Sequence, residues 1–419
     1  MKYKGKKLLI LGGAGVHKKI VKAAKELGIY TIVVDNVENS PAKKDADEAW
    51  LISFTEVDKI VEKARSVGVD AVINLCVDPA QEPYQKICSK LNLPCYGTQS
   101  QMEILTQKDL FKAFCKEHGV DVIPDYSLED IVNDRVDYPV LIKPNHSRGS
   151  RGQSICYTKE SAISAFEYAE NQSFDGRALC EKYMIGKQDL ATAFFVVDGE
   201  PYLIKLGDRH MGKKEDGLDR QVICTWLPSS FSEMFEANVL KRVKDMIRSL
   251  GVKFGPVFMQ GFVDGDTVRF YDPGMRMPGG DYDLILKKAT GFDTVKSVIH
   301  YSFTGDVRSC FGNPKLSYKL NNKIGILLCF SVKKGTIKKI VGFEGLKNND
   351  KIIYSRLMCE IGDEIMETGD VKQRVAALGA LVNNQSELKG LINEIYERVH
   401  FLDDLNQDML VSKFSMLSI

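Results

Sequence analysis

A glycine-rich loop that follows an apolar strand is the first part of the sequence whose residues could do chemistry. The apolar run at 139–142 leads to Lys143, and the segment 146–152 beyond it is rich in glycine, serine and arginine. A triphosphate needs a fixed cation, backbone N–H donors and a loop that can close over it. The lysine on the strand and the glycine-rich loop would provide all three. The segment lacks the GKS or GKT of a Walker A motif, and a solvated hairpin turn with an incidental lysine is the alternative.

A later hairpin carries side chains suited to a metal ion. The sequence predicts two adjacent strands that present Gln260 and Asp272 on one face, with a turn near Gly265 between them. Oxygen ligands in this arrangement could hold Mg²⁺ against nucleotide phosphates. Just beyond the second strand, Arg276 has the planar guanidinium that binds phosphate or carboxylate groups.

A second glycine loop lies at residues 12–15, after the first predicted strand, with Asp35 at the end of the next strand. This arrangement invites a dinucleotide site in which Asp35 accepts from a ribose. Lys18 stands where the third glycine of that fingerprint belongs, so a structural turn is the preferred interpretation. An NAD(P)-dependent oxidoreductase built on this loop is kept as an alternative function.

Composition narrows the class of protein. At 419 residues the chain is too long for one ordinary core, so we expect about two to four compact units. The 57 lysines and arginines balance 56 aspartates and glutamates, which gives no reason to expect a nucleic-acid or membrane partner. The ten cysteines are scattered singly, as in a reduced cytoplasmic protein, and the N-terminus lacks a signal-like apolar stretch, so we expect no export.

The elements that must position these residues can be read from the hydrophobic pattern. Residues 7–98 alternate short β-branched runs with helical spacing, which predicts βαβ units on a parallel sheet. Residues 101–119 have the pattern of one amphipathic helix. Strands are predicted at 140–142, 178–180, 193–197 and 268–271, and further strands and a long helix after residue 386 form an accessory α+β unit.

The order of these motifs resembles the ATP-grasp superfamily, in particular the synthetase halves of the carbamoyl phosphate synthetase large subunit and the biotin carboxylases. The resemblance covers about residues 7–310 and implies that Lys108 and Lys143 contact the ATP phosphates. It also implies that the loop 147–152 is the lid over the nucleotide. The other residues that it assigns to ATP are Ser147, Gly149, Ser150, Gly152, Glu181, Lys182, Tyr183, Met184 and Asp189.

On the metal strand the sequence departs from the family pattern. The resemblance implies that Gln260 and Asp272 bind Mg²⁺, with Mn²⁺ as the alternative metal, but the family has Glu-x-Asn where this chain has Asp272 and Gly274. Glycine offers no side-chain oxygen. A second magnesium is therefore lost or held by a neighbour such as Asp281 or Asp283.

The resemblance also implies roles in the reaction. Arg276 and Lys143 are the expected catalytic residues, because the chemistry mainly requires positioned cations on phosphoryl oxygens. Gln188 stands at the family's second ribose carboxylate, which leaves Asp189 beside it as the candidate. The expected substrate contacts are Arg209, Arg220, Gly279 and Asp281.

The implied function is an ATP-dependent carboxylate–amine ligase that forms an acyl phosphate, which an amine then attacks. Residues 318–405 resemble the last domain of L-amino acid ligases, which favours an amino acid or another small carboxylate as substrate. A carboxyphosphate-forming enzyme similar to carbamoyl phosphate synthetase is one alternative. An ATP-binding module that has lost catalysis is another, suggested by Gly274 and Gln188.

The expected architecture is an α/β and α+β multidomain protein with an ATP-grasp fold. A Rossmann-like pre-ATP-grasp domain is expected at 1–100, a two-lobed ATP-binding domain at 101–312 with its lid subdomain at about 122–186, and an α+β accessory domain at 313–419. The expected partners are a small carboxylate, an amine and Mg-ATP in the cytoplasm, without nucleic acid or membrane. A homodimer is left open.

Overall fold

The computed structural model describes residues 3–145, 152–173, 176–219, 221–308, 316–369 and 371–416. Within these ranges, no helix combines the length and the apolar character that crossing a membrane requires.

The N-terminal part is built on a parallel sheet covered by helices. Its elements are β1 (Lys7–Leu11), α1 (Lys18–Glu26), β2 (Tyr30–Val34), β3 (Glu48–Trp50), α2 (Val57–Val67), β4 (Ala71–Ile73) and α3 (Gln81–Leu91). The strand order is β3-β2-β1-β4, and each neighbouring pair is parallel. The strands are apolar along most of their length because helices cover a parallel sheet on both faces. The predicted alternation of strands and helices is confirmed.

The single helix predicted at residues 101–119 is wrong. The structure has two helices there, α4 (Gln99–Ile104) and α5 (Lys108–Glu117). The Thr106 hydroxyl donates to the Met102 carbonyl at 2.7 Å, and Gln107 is extended, with φ −95° and ψ 119°. The apolar periodicity continues through this break, which is why the pattern did not reveal it. As a result Lys108 is the first residue of α5.

The next segment forms a separate antiparallel sheet, here called the lid sheet. Its elements are β5 (Asp125–Tyr126), α6 (Leu128–Val132), β6 (Val140–Pro144), β7 (Ser154–Cys156), α7 (Lys159–Gln172) and β8 (Ala178–Lys182). The strand order is β5-β8-β6-β7. Ile131, Ile142, Phe166 and Cys180 belong to a small hydrophobic cluster of its own, distinct from the clusters in the rest of the protein.

Most of the remaining strands form one large antiparallel sheet, and four short C-terminal strands form two separate two-stranded sheets. The first part of the large sheet contains β9 (Asp189–Val197), β10 (Glu200–Met211), β11 (Val222–Leu227), α8 (Ser232–Asn238), α9 (Leu240–Ser249), β12 (Phe254–Asp264), β13 (Thr267–Gly274), α10 (Tyr282–Thr290) and α11 (Thr294–Thr304). Its strands follow the order β13-β12-β9-β10-β11. Strands β12 and β13 form the predicted hairpin, so Gln260 and Asp272 lie opposite each other in register.

The C-terminal part extends the same sheet. Its elements are β14 (Ile324–Val332), β15 (Gly335–Thr336), β16 (Lys339–Val341), β17 (Ile352–Leu357), β18 (Glu364–Ile365), β19 (Arg374–Val382), α12 (Gln385–Arg398), β20 (His400–Leu402) and β21 (Leu410–Val411). Strand β14 pairs with β11, and the order continues β14-β19-β17. One sheet thus includes strands on both sides of residue 312, and the domain boundaries given above stay predictions.

Candidate functional site

A cleft of about 2000 Å³ lies between the lid sheet and the large sheet. It is lined by α5, by strands β6 and β8, by the chain after β8, and by the facing strands of the large sheet. The predicted site residues in this lining are Lys108, Lys143, Gly152, Glu181, Lys182, Tyr183, Met184, Asp189, Arg209, Gln260 and Asp272. Ser147, Gly149, Ser150 and Arg220 fall outside the described residues. The fold therefore brings together positions that are up to 164 residues apart, since Lys108 and Asp272 share this cleft.

Glu181 forms ion pairs with two lysines on the lid side of the cleft. Its carboxylate forms an ion pair with Lys143 and lies 2.6 Å from Lys112 Nζ, and all three side chains are buried. Burial raises the pKa of Glu181, but the ammonium groups of Lys143 and Lys112 outweigh burial and hold it at about 2. Burial lowers the pKa of Lys143, against the attraction of Glu181. The sequence analysis missed Lys112, whose signal is its place on the apolar face of α5, beside Phe111.

The hairpin side of the cleft carries the oxygen donors. Asp272 lies opposite Gln260, and its Oδ1 is 3.9 Å from Lys108 Nζ. Burial raises the pKa of Asp272, and Lys108 acts against that increase. The described part of the chain holds no group of three or more His, Cys, Asp or Glu residues able to hold a metal ion unaided. Gln260 and Asp272 offer two oxygen donors, a set that suits a cation such as Mg²⁺ that takes its other ligands from phosphate and water.

Arg276 is fixed by a carboxylate that the sequence analysis did not consider. Its guanidinium binds Asp78 through Nε and Nη2, with Nη2 2.6 Å from Oδ2, and lies 4.7 Å from the centroid of the Phe258 ring. A Cβ atom at Gly274 would lie 3.3 Å from Arg276 Cγ and 3.4 Å from Asp78 Oδ1. The glycine that replaces the family's asparagine thus stands directly against this ion pair, where a larger side chain would press on it.

Asp281 and Asp283 lie in a different place from the cleft lining. Both are buried and pair with Lys19, whose Nζ is 3.1 Å from Asp281 Oδ1, and Asp281 also pairs with Arg356. Their carboxylates are already neutralised, so the geometry gives no support to either as a substitute metal ligand. Gly279 is likewise absent from the lining. Substrate contacts at Gly279 and Asp281 stay predictions.

Asp189 stands at the centre of a polar network on β9. Its Oδ2 lies 2.8 Å from Arg209 Nη1 and 3.1 Å from the Tyr271 hydroxyl, which is 3.0 Å from Gln260 Oε1. Burial raises the pKa of Asp189 to about 6, although Arg209 opposes the increase. Oδ1 of Asp189 is buried and has no hydrogen-bond partner among the described residues, so it can accept from a ligand hydroxyl. Tyr271 therefore links this carboxylate to Gln260 on the hairpin of β12 and β13.

The C-terminal segment also reaches the cleft, which no motif indicated. Lys413 and Phe414 are part of the lining, and the Phe414 ring lies 5.0 Å from the His210 ring. Ser412 anchors the segment, because its hydroxyl donates to Asp216 at 2.6 Å.

The N-terminal glycine loop is filled by the chain's own side chains. The Gly13 amide donates to Asp35 at 2.6 Å, which engages the carboxylate that the dinucleotide alternative assigns to ribose. A Cβ atom at Gly13 would lie 2.0 Å from the Ser40 hydroxyl, and one at Gly12 would lie 2.7 Å from His17 Nε2. These glycines are required by close packing and, at Gly12, by a φ of +103°. The geometry favours the structural turn.

Comparisons with known proteins find similarity over part of the sequence. The model of the carbamoyl-phosphate synthase L chain, ATP binding domain, matches residues 107–243. The chain is 30% identical over 227 residues to the 2-oxoglutarate carboxylase small subunit of Hydrogenobacter thermophilus, an alignment that covers 49% of this chain and 48% of that protein. The chain thus spans about half the length of this relative.

Solved structures show the fold over nearly the whole chain. The L-amino acid ligase from Bacillus licheniformis superposes with a TM-score of 0.77 at 17% identity and covers 96% of this chain and 99% of its own. The biotin carboxylase domain dimer of the Hydrogenobacter thermophilus 2-oxoglutarate carboxylase, solved with MgADP and bicarbonate, gives a TM-score of 0.74 at 19% identity over 97% and 91% of the two chains. This chain therefore has the ATP-grasp fold and carries an ATP-binding domain similar to that of the carbamoyl-phosphate synthase L chain.

Proposed function

We propose that the protein is an ATP-dependent carboxylate–amine ligase that uses Mg-ATP and forms an acyl phosphate. The observation that carries the proposal is the meeting of two unlike groups of side chains in one cleft. Lys108 and Lys143 provide cations for phosphate oxygens, and Gln260 and Asp272 face them with oxygen ligands for a metal. Such an arrangement binds a nucleoside triphosphate together with Mg²⁺.

The residues of the chain supply position and charge for the reaction. Lys108 and Lys143 hold phosphate oxygens, and Asp189 Oδ1 accepts from a ribose hydroxyl. Gln260 and Asp272 would hold the Mg²⁺, which would supply charge withdrawal from the transferred phosphate. An oxygen of the substrate carboxylate attacks the γ-phosphorus and ADP leaves; the amine then attacks the acyl carbon and phosphate leaves. Arg276, held by Asp78, stabilises the negative charge of the acyl phosphate.

The test is the release of ADP with a panel of acceptors. Purified protein with Mg-ATP is supplied with the standard L-amino acids, singly and in pairs, and with formate and bicarbonate. We expect ADP release that depends on at least one of these carboxylates. ATP that binds in calorimetry but is never consumed would favour the inactive ATP-binding module, and binding of NADH without ATP would sink the ligase assignment.

A variant of the lid strand tests the role assigned to Lys143. Lys143→Ala should lower the rate of ADP release by at least about 100-fold, because one phosphate contact made in the transition state is lost. Lys241→Ala, which changes a 90% exposed lysine on α9, is the matched control and should leave the rate unchanged. Equal rates in Lys143→Ala and wild type would refute the assignment of Lys143.

Formation of carboxyphosphate from bicarbonate is a second candidate. It is favoured by the similarity to a protein named as a carboxylase subunit. Within the same panel, ADP release with bicarbonate alone would select this reaction, and release that needs an amino acid would select the ligase.

A further inference from the structure

Lys205 is a buried cation that the reaction described above does not use. It lies on β10 and is 3% exposed. Among the described residues, its ammonium group has no carboxylate partner and no hydrogen-bond acceptor. It makes a cation–π contact with Tyr282, whose ring centroid is 5.2 Å from Nζ. Buried ammonium groups are costly unless they are paired, so an unpaired one marks a place where an anion could bind.

The register of the sheet places Lys205 on the same sheet face as the hairpin side chains that line the cleft. Lys205 pairs with Ala193, which pairs with Phe258, which in turn pairs with Gly274. The neighbouring row of the same sheet face holds Gln260 and Asp272. Residues two apart on a strand point to the same face and are separated by about 7 Å. Lys205 therefore lies one row from Gln260 and Asp272, beside the cleft and not in its lining.

The charges around Lys205 leave it without compensation. Arg209 on its own strand is paired with Asp189, and Arg276 is paired with Asp78. Burial, together with the charges of Arg209 and Arg276, lowers the pKa of Lys205 to about 7. Of these three cations, Lys205 alone lacks an acidic partner in the described chain, so one added negative charge would balance the group.

The side chains around Lys205 are aromatic or small. The Tyr282 ring centroid lies 5.2 Å from Lys205 Nζ, and in the row of Lys205 the Arg276 guanidinium lies over the Phe258 ring. Between Lys205 and Gly274, the row contributes Ala193 and Phe258. A ligand that fits carries a single negative charge on a small, largely apolar body.

We propose that Lys205 binds the carboxylate of the ligase substrate, with Arg276 beside it, and that the substrate is a small monocarboxylate such as an amino acid with a short side chain. This inference rests on the proposed function and names the residue that binds the carboxylate substrate of that reaction. It also places the carboxylate one row from Gln260 and Asp272, within reach of a phosphate held at the metal.

A binding measurement tests the proposal without turnover. Protein with ¹³Cε-labelled lysine and saturated with Mg-ADP is titrated by NMR, and Lys205→Met assigns the signal of Lys205. Acetate or L-alanine should raise the pKa of Lys205 by about 1 or more, because an adjacent carboxylate favours the charged amine. An unchanged pKa with both probes, or a change with inorganic phosphate alone, would overturn the assignment to a carboxylate.

The second test is a kinetic one, with whichever carboxylate supports ADP release by the protein. Lys205→Met should raise the KM for that carboxylate by about tenfold or more while leaving the KM for ATP unchanged. In wild type, this KM should rise as the pH passes above about 7 and Lys205 loses its charge. Lys205→Arg should move that increase to higher pH, since arginine stays protonated. An unchanged KM in Lys205→Met would refute the proposal.

The two tests also separate this inference from the function on which it rests. A change in the pKa of Lys205 with acetate, but no ADP release with any acceptor, would contradict the ligase function and support an anion site at Lys205. ADP release with an unaltered KM in Lys205→Met would keep the ligase and remove Lys205 from its substrate site.

Discussion

Glu181 shows how much a single carboxylate can hold in place. It balances Lys143 and Lys112 in a buried position, so Glu181→Gln would leave two adjacent cations with a neutral partner. We expect a loss of about 3–5 kcal/mol in the free energy of unfolding, measured by urea denaturation. The double variant Glu181→Gln with Lys112→Met should recover part of that loss. A single variant as stable as wild type would contradict the role given to this carboxylate.

The same residue should make the protein sensitive to acid. The folded-state pKa of Glu181 is about 2, below its ordinary value of 4.5, so its contribution to stability is fully present above pH 4.5 and is lost as the pH falls towards 2. We expect the unfolding free energy of wild type to decline faster than that of Glu181→Gln over this range. Parallel pH profiles of the two proteins would contradict the expectation.

Lys205 should have the opposite influence on stability. Its folded-state pKa of about 7 lies below the ordinary value of 10.5, so the unfolded chain binds more protons between these values and stability rises with pH. Lys205→Met removes this cost and should melt above wild type at pH 6, with a difference that shrinks towards pH 10. For a cooperatively unfolding unit of about 150–250 residues, each kcal/mol of unfolding free energy changes the melting temperature by about 2–4 °C. A lower melting temperature for the variant at pH 6 would contradict this balance.

At this scale, the sequence predicted the residues that sit in recognisable local motifs. Lys143 and Glu181 lie on strands whose apolar runs are legible, and Gln260 and Asp272 lie on a hairpin. The sequence did not predict Asp78 as a site residue, because its partner, Arg276, is 198 residues away in the chain. Lys205 was missed for a related reason, since its contact is with Tyr282 of α10, which is 77 residues away in the chain.

Among the elements, the lid sheet should be able to open locally. Its hydrophobic cluster is distinct from the clusters of the other sheets, so it can lose structure while they remain folded. Ile142→Ala, at a fully buried position on β6, should cost about 2–5 kcal/mol within this cluster. Hydrogen exchange should then rise in β5 to β8 and stay unchanged in the large sheet.

The matched control lies on the large sheet. Ile326→Ala on β14 also removes a fully buried side chain, from the C-terminal cluster. It should raise exchange in β11, β14 and β19 and leave the lid sheet unaffected. Identical exchange patterns in the two variants would show that the sheets do not open separately.

Element boundaries were predicted less well than element types. The parallel strands of the N-terminal part were found because continuous β-branched runs are typical of buried strands. The break between α4 and α5 was not found, because the apolar spacing runs through it and a hydrogen bond from Thr106 ends the first helix. This break sets Lys108 at the start of α5, facing the cleft.

For the whole molecule, the large sheet joins the central and C-terminal parts. Strand β11 pairs with β14 along four residues, and Ile223 and Trp226 on β11 pack in the C-terminal cluster. A chain that ends at residue 308 would expose this edge and these side chains, so we expect it to aggregate. Size-exclusion chromatography checks this expectation, and a monodisperse truncated chain with native circular dichroism would contradict it. The sequence predicted an accessory unit here but could not reveal the shared sheet, because strand partners are set by tertiary packing.

The pairing of β11 with β14 also makes the protein a candidate for fragment complementation. The contact between these strands relies on backbone hydrogen bonds and buried side chains, which act equally well between two polypeptides. Residues 1–308 and 316–416, coexpressed as separate chains, would then reassemble through this ladder into a noncovalent heterodimer. Each fragment could be labelled on its own, which would allow the cleft and the C-terminal segment that lines it to be followed separately by spectroscopy.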